Sequence, residues 1–281
     1  MSASLAKNIV SSLTLQPARM VVGLWSKRDL IWQFTHRNIE LRHRGSRLGA
    51  FWALINPLSM WALYYFIFGR IYETKFGHIP GETELDFSIA LFFSLSLFHL
   101  FTETLAISPS LITSNPNFVK KVVFPLEVMP VAQLGAALFH MGAGLTLALV
   151  GSLFGTTGLS WQVLWLPVFV LPLVLLSLGV SYFLAALGVF LRDIGQLTAF
   201  VSTLLLFSSA VMYPLSKIPL GFEWLRFNPF LQIVDLARMS VLAHQTPSME
   251  WLGYVYAVGA AVFVGGAVFF SLLRKSFAEV I

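Results

Sequence analysis

The chain has 281 residues, of which 57% are hydrophobic and only 11% charged; a soluble domain carries roughly 25% charged residues, and a mean hydropathy of +0.78 excludes a water-soluble globule. The formal net charge of +5 would suit a polyanion, but the basic residues sit in short segments between apolar runs, where an anionic leaflet and not nucleic acid is the partner. With no cysteine, disulfides, thiolate metal sites and thiol nucleophiles are ruled out together.

The first 25 residues contain no compact apolar stretch followed by a small-residue cleavage site, so the N-terminus is expected to be retained. Residues 1–48 read as a cytoplasmic segment in which Ser26 to Ser46 forms an amphipathic interface helix. Leu30, Phe34, Leu41 and Leu48 share one face, while Asp29, Gln33, His36, Glu40, Arg44 and Arg47 lie on a neighbouring one. Residues 49–281 then form a membrane domain with six crossings at about 49–69, 87–107, 126–153, 163–190, 196–214 and 251–273, each long enough to span a hydrocarbon layer of ~30 Å. These runs do not alternate in polarity, which sets a β-barrel aside. The expected fold is an all-α integral membrane protein.

Placing both termini in the cytoplasm puts 13 of the 18 Lys and Arg residues on that side, leaving Arg70, Lys75, Lys217, Arg226 and Arg238 outside. The positive-inside rule favours this orientation, that of a bacterial inner-membrane protein. Between the fifth and sixth spans, residues 215–243 are apolar but interrupted by Pro219, Asn228, Pro229, Asp235 and Arg238. That pattern reads as an outer re-entrant or interfacial helical hairpin, tolerated at membrane depth where protein or water satisfies its backbone; a loop with one amphipathic helix is the simpler alternative.

Small residues recur at multiples of four in two spans: Ala132, Ala136, Gly144 and Ala148 in the third, with His140 in the same row, and Gly253, Ala257, Ala261 and Gly265 in the sixth. Such rows let helices approach closely in lipid. The fifth span carries Thr198, Ser202, Ser209 and Tyr213 on one side, a mild polar stripe suited to lining a conduit or to hydroxyls bonding back to their own helix. Trp61, Tyr64 and Phe68 stack along one face of the first span; aromatic faces suit the apolar faces of sugar rings, and interfacial aromatic belts account for the same residues. His99, Glu103, Glu127 and His140 are the ionisable groups within or at the ends of the spans, and His99 and Glu103 have the i, i+4 spacing of an ion pair. No G-x-x-x-x-G-K-[ST] loop exists to cradle ATP, and no H-E-x-x-H or G-x-S-x-G motif points to hydrolysis. The expectation is a chain with no catalytic residue, metal site or cofactor of its own.

Several motifs in order then carry a resemblance. Arg42-His43-Arg44-Gly45-Ser46-Arg47-Leu48-Gly49 followed by Trp52 and Asn56-Pro57, Asn115-Pro116-Asn117 through Lys120-Lys121-Val122-Val123-Phe124-Pro125, Arg192-Asp193-Ile194, Tyr213-Pro214-Leu215 to Pro219, and Phe227-Asn228-Pro229-Phe230 together resemble the ABC-2 type permease subunits of polysaccharide exporters, from about residue 25 to the C-terminus. The resemblance implies a homodimer joined to two copies of a separate ATPase subunit that holds ATP and Mg. It also implies export of a polyprenyl-linked polysaccharide, with O-antigen the nearest match, through a channel at the dimer interface. The interface helix and a coupling helix at about 110–121 would take the ATPase stroke, through Arg37, Arg44, Asn115, Asn117, Lys120, Lys121, Arg192 and Asp193. The channel would be lined by Trp61, Tyr64, Phe68, Ser202, Ser209 and Tyr213, and the outer gate would contain Pro219, Asn228, Pro229, Asp235 and Arg238. The alternatives weighed are an ABC-2 exporter of a small lipophilic molecule, a membrane-embedded glycosyl or lipid transferase, and a membrane scaffold.

Overall fold

A computed structural model describes residues 23–43, 51–77, 79, 81–120, 124–156 and 158–281. Among these the regular structure is helical throughout, with no strand. The α-helices in chain order are α1 (Arg28–His43), α2 (Trp52–Tyr64), α3 (Glu84–Ile107), α4 (Pro116–Val119), α5 (Val128–Ser152), α6 (Leu166–Phe190), α7 (Ile194–Ser208), α8 (Pro229–Val241), α9 (Met249–Leu273) and α10 (Phe277–Val280). Four stretches of the described residues are helical, long and apolar enough to cross a membrane: Glu84–Ser110, Val128–Ser152, Trp161–Phe190 and Met249–Val280. The chain is a multi-pass membrane protein. Helix α7, at 15 residues, is apolar but shorter, and α2 continues as a seven-residue π-helical stretch, Tyr65–Ile71.

Helix α3 is the centre of the bundle, buried along most of its length. It starts at a capping box: Thr83 Oγ1 accepts from the Asp86 amide, and the Thr83 amide donates to Asp86 Oδ2 at 2.9 Å, which satisfies two amides that the first turn leaves without partners. Asp86 also accepts from the Thr156 amide at 2.8 Å, tying the start of α3 to the loop after α5. The buried Ser94, Ser96 and Thr104 hydroxyls each donate to the carbonyl four residues back, at 2.8 Å, so apolar surroundings cost them no lost hydrogen bond. The row Ala132, Ala136, Gly144 and Ala148 on α5 is buried as expected, and a methyl group on Gly144 would strike Ser96 of α3.

Helices α6 and α9 run parallel in close contact. A methyl group on Gly266 would overlap the Gly179 backbone, and one on Gly179 would overlap that of Val262 and Phe263. Pro172 interrupts α6; having no N–H, it leaves the Val168 carbonyl without its helical donor, and the Tyr256 hydroxyl of α9 supplies one at 2.9 Å. The row expected in the last span does not face a described helix of the same chain. Gly253, Ala257, Ala261 and Gly265 are exposed, and the packing row is Gly259 and Gly266, because small residues occur on more than one side of this helix.

Three further differences from expectation are local. Of the stretch expected as one helix at about 110–121, the described residues 110–120 form no single helix: the 3-10 turn Ser108–Ser110 and the four-residue α4 are separated by a turn, since Asn115-Pro116 favours turn initiation. Helix α7 stops at Ser208 and does not reach 214, because Ala210 adopts a left-handed backbone at φ 49°. In residues 215–243 one arm of the expected hairpin consists of two 3-10 turns, Leu215–Lys217 and Glu223–Phe227, and the other is α8.

Candidate functional site

Helix α1 does not stand apart from the bundle; it lies lengthwise along the first half of α5. At its start, Lys27 Nζ donates to Glu127 Oε1 at 2.6 Å. In the middle, the Thr35 hydroxyl donates to the Ala132 carbonyl at 3.3 Å and fills the notch left by Gly135. At its end, Arg42 Nη1 meets Glu103 Oε2 at 2.7 Å. Glu127 is a junction of three elements, since Arg274, just past α9, donates to its other oxygen at 2.5 Å and the Tyr182 hydroxyl of α6 donates to its carbonyl at 2.9 Å. Burial opposes ionisation of Glu127, but hydrogen bonds from Lys27 and the nearby Arg274 charge outweigh it and hold the carboxyl below its usual range.

The two elements expected to take the ATPase stroke touch each other. Phe34 of α1 packs on Phe118 of α4 and on Phe124, each at 5.4 Å between ring centroids, and Arg37 lies over the Phe34 ring at 4.4 Å. Asn115 donates to the Leu111 carbonyl at 3.0 Å, holding the turn that precedes α4. Asn117, Lys120, Arg192 and Asp193 are exposed. Arg44 and Lys121 lie outside the described residues.

Within one chain the six expected channel residues do not converge. Trp61 donates to Ser88 Oγ at 3.2 Å and stacks on Phe92 of α3, so the aromatic face of α2 packs inward; Tyr64 and Phe68 follow in the same row. On α7, Ser202 donates to the Thr198 carbonyl at 2.8 Å. Ser209 is fully buried and receives a hydrogen bond from Asn228 Nδ2 at 3.1 Å. Tyr213 donates to the Phe207 carbonyl at 2.7 Å.

Of the residues expected in the gate, all but the exposed Pro219 lie in α8 or cap its start. Asn228 caps α8, accepting from the Phe230 amide at 3.0 Å, and Pro229 occupies the first turn, where an absent N–H costs nothing. Arg238 is buried beside Asp235, 2.7 Å away. It donates to the Ala210 carbonyl at 3.0 Å and lies over the Phe76 ring at 4.2 Å. Glu82 closes the same corner by accepting from the Phe76 and Gly77 amides at 2.9 and 2.6 Å.

The model of the ABC-2 type transporter family matches residues 29–242, which run from α1 to the end of α8. The chain belongs to the ABC-2 type transporter family. It is 26% identical over 257 residues to the O-antigen export system permease protein RfbA of Klebsiella pneumoniae, covering 90% of this chain and 95% of that protein. It is 28% identical over 265 residues to the protein of the same name from Myxococcus xanthus, covering 93% and 98%. The Polysialic acid transport protein KpsM of Escherichia coli is 25% identical over 217 residues, covering 73% and 78%.

In this ABC-2 chain the most distinctive polar group is one that spacing alone misassigned. Glu103 does not pair with His99, four residues away; it binds Arg42 and accepts from His140 Nδ1 at 3.0 Å, 37 residues on. The cluster opens on a cleft of about 1020 Å³ between α1, α2, α3 and α5, whose lining includes Trp52, Tyr64, Asn38, Gln133 and His99.

Proposed function

We propose that this chain is the permease subunit of an ATP-driven exporter that moves a polyprenyl-linked polysaccharide, of the O-antigen kind, across the bacterial inner membrane. The observation that carries the reading is the near full-length similarity to O-antigen export permeases, supported by a membrane bundle with no phosphate-binding loop in its sequence. Two further crossings, α2 with its π-helical continuation and α7, join the four long spans to make six, with both termini cytoplasmic and residues 215–243 re-entering from the outer face. Two copies of the chain form the channel between them, and two copies of a separate subunit bind ATP and Mg.

The aromatic contact between α1 and α4 gives a route for the stroke. A push on the exposed Asn117 and Lys120 reaches Phe118, then Phe34 and Arg37, and so moves α1, which is pinned to α5 at Glu127 and to α3 at Glu103. Packed rings transmit displacement because close-packed interiors resist compression. At the outer end, the Arg238 corner holds α8 against the end of α7 and acts as the gate.

The test is deletion of the gene followed by complementation. Loss of surface polysaccharide with accumulation of the lipid-linked glycan inside the cell, restored by the wild-type gene, supports the reading; unchanged surface polysaccharide refutes it. Recovery of an ATPase subunit with the tagged chain tests the partnership, and the variant Lys120→Glu should weaken that recovery.

A further inference from the structure

We propose that the cleft between α1, α2, α3 and α5 is a saccharide-binding site within each subunit, taking neutral sugars of the exported glycan. The proposal rests on the glycan-export reading above and adds a place for the glycan separate from the channel between subunits. At about 1020 Å³ the cleft is at the upper end of small-molecule sites, which run to roughly 1,000 Å³. It flanks α3 and α5, two of the helices long and apolar enough to cross the membrane, and His140 lies midway along α5. A polar ligand at that depth needs hydrogen-bonding side chains, because lipid offers none.

The wall chemistry selects the occupant. Glu103 and His140 are mostly shielded, with 14% and 15% of their side chains exposed, and Glu103 is already balanced by Arg42. A phosphate placed here would meet the Glu103 carboxylate, and like charges at short range repel strongly in a medium of low dielectric. An acyl chain would lie against Arg42, Glu103 and His99 and strip water from them without replacing its hydrogen bonds. A neutral polyhydroxylated ligand has neither defect.

Sugar rings have apolar faces for Trp52 and Tyr64 and hydroxyls that both donate and accept. The partners for those hydroxyls are in place. His99 lines the cleft, its side chain is exposed to it, and no hydrogen bond joins its ring to a described residue. The Asn38 amide donates to Gln133 Oε1 at 3.4 Å, leaving Asn38 Oδ1 and Gln133 Nε2 for a ligand.

The experiment uses the absence of cysteine from the chain. Ala106→Cys, at the exposed rim of the cleft, provides a single thiol in the permease, purified with a cysteine-free ATPase partner in nanodiscs. Its alkylation by fluorescein maleimide is timed with two probes: the lipid-linked glycan extracted from the gene-deletion strain, and the lipid recovered free of saccharide after mild acid has cleaved the same extract. The expected result is slower alkylation with the intact extract only. Equal protection by the acid-treated lipid would assign the cleft to the lipid carrier and overturn the proposal, as would no protection by either. Adding His99→Ala should weaken the protection about tenfold, the effect of losing one good hydrogen bond, at an unchanged melting temperature. Unchanged protection would overturn the proposal. If the deletion strain accumulates no lipid-linked glycan, the export reading itself fails, a result distinct from an unprotected thiol.

Discussion

Replacing Arg238 with Met tests the corner assigned to the outer gate. Arg238 is 2% exposed and bound to Asp235 Oδ1 at 2.7 Å, with only 13% of the Asp235 side chain exposed. Methionine has a similar reach and fills much of the same volume, so the loss is mainly electrostatic. Asp235 is left as an uncompensated charge, and the Ala210 carbonyl loses its 3.0 Å donor. Breaking one side of a buried pair costs about 3–5 kcal/mol, whereas replacing both members with apolar residues is often close to neutral. At about 2–4 °C per kcal/mol for chains approaching this size, Arg238→Met should melt roughly 6–20 °C below the wild type. The double variant Arg238→Met with Asp235→Leu should recover most of that loss. Thermal unfolding of the detergent-solubilised protein, followed by tryptophan fluorescence, measures both. A single variant that melts with the wild type, or a double variant no better than the single, would refute the electrostatic account of this corner.

Other outcomes follow from the same structure. Gly266→Val drives a side chain into the Gly179 backbone and should destabilise the protein by about 1–3 kcal/mol through overpacking, seen as a lower melting temperature. Tyr256→Phe removes the donor from the Val168 carbonyl orphaned by Pro172 and should cost about 1–3 kcal/mol, whereas Tyr254→Phe, whose hydroxyl bonds at the exposed Phe227 carbonyl, should cost less. The folded-state pKa of Glu127 lies below its unfolded value, so its contribution to stability is full above the ordinary glutamate pKa of about 4.3 and is lost as pH falls through the lower folded value. Glu127→Gln should therefore lower the melting temperature at pH 7 and flatten its decline in acid, and an acid profile identical to the wild type would contradict the junction's role. Gly135→Val should push Thr35 outward and loosen α1 from α5, measured as faster proteolysis near residue 28.

What could be read from the sequence is what depends on neighbours along the chain. Apolar length marked out α3, α5, α6 and α9, and the four-residue row on α5 was legible because its small residues keep largely to one side. The side of α9 that meets α6 was not legible for the opposite reason: Ala260, Ala261, Gly265, Gly266 and Ala267 surround the helix, and composition cannot say which side meets α6. Helix ends that depend on distant partners were also hidden. The stop at Ser208 rests on Ala210 being held by Arg238, 28 residues further on. For the site, spacing suggested His99 with Glu103, but the partners of Glu103 come from α1 and α5, and those of Glu127 from residues 100 and 147 positions away. Glu103, Glu127 and His140 were nevertheless visible as costly charges or potential charges in an apolar context, which is the signal that could have directed attention to the cleft.

The proposed function is ATP-coupled export of a lipid-linked polysaccharide, with ATP bound by a separate subunit. Its most direct test is translocation in proteoliposomes that contain the permease, its ATPase partner and the lipid-linked glycan extracted from the gene-deletion strain, with exposure of the glycan on the far side read by a lectin or antibody. Translocation is expected only when permease, ATPase, ATP and Mg are all present. Equal translocation without the ATPase, or none with the complete and ATP-hydrolysing complex, would contradict it.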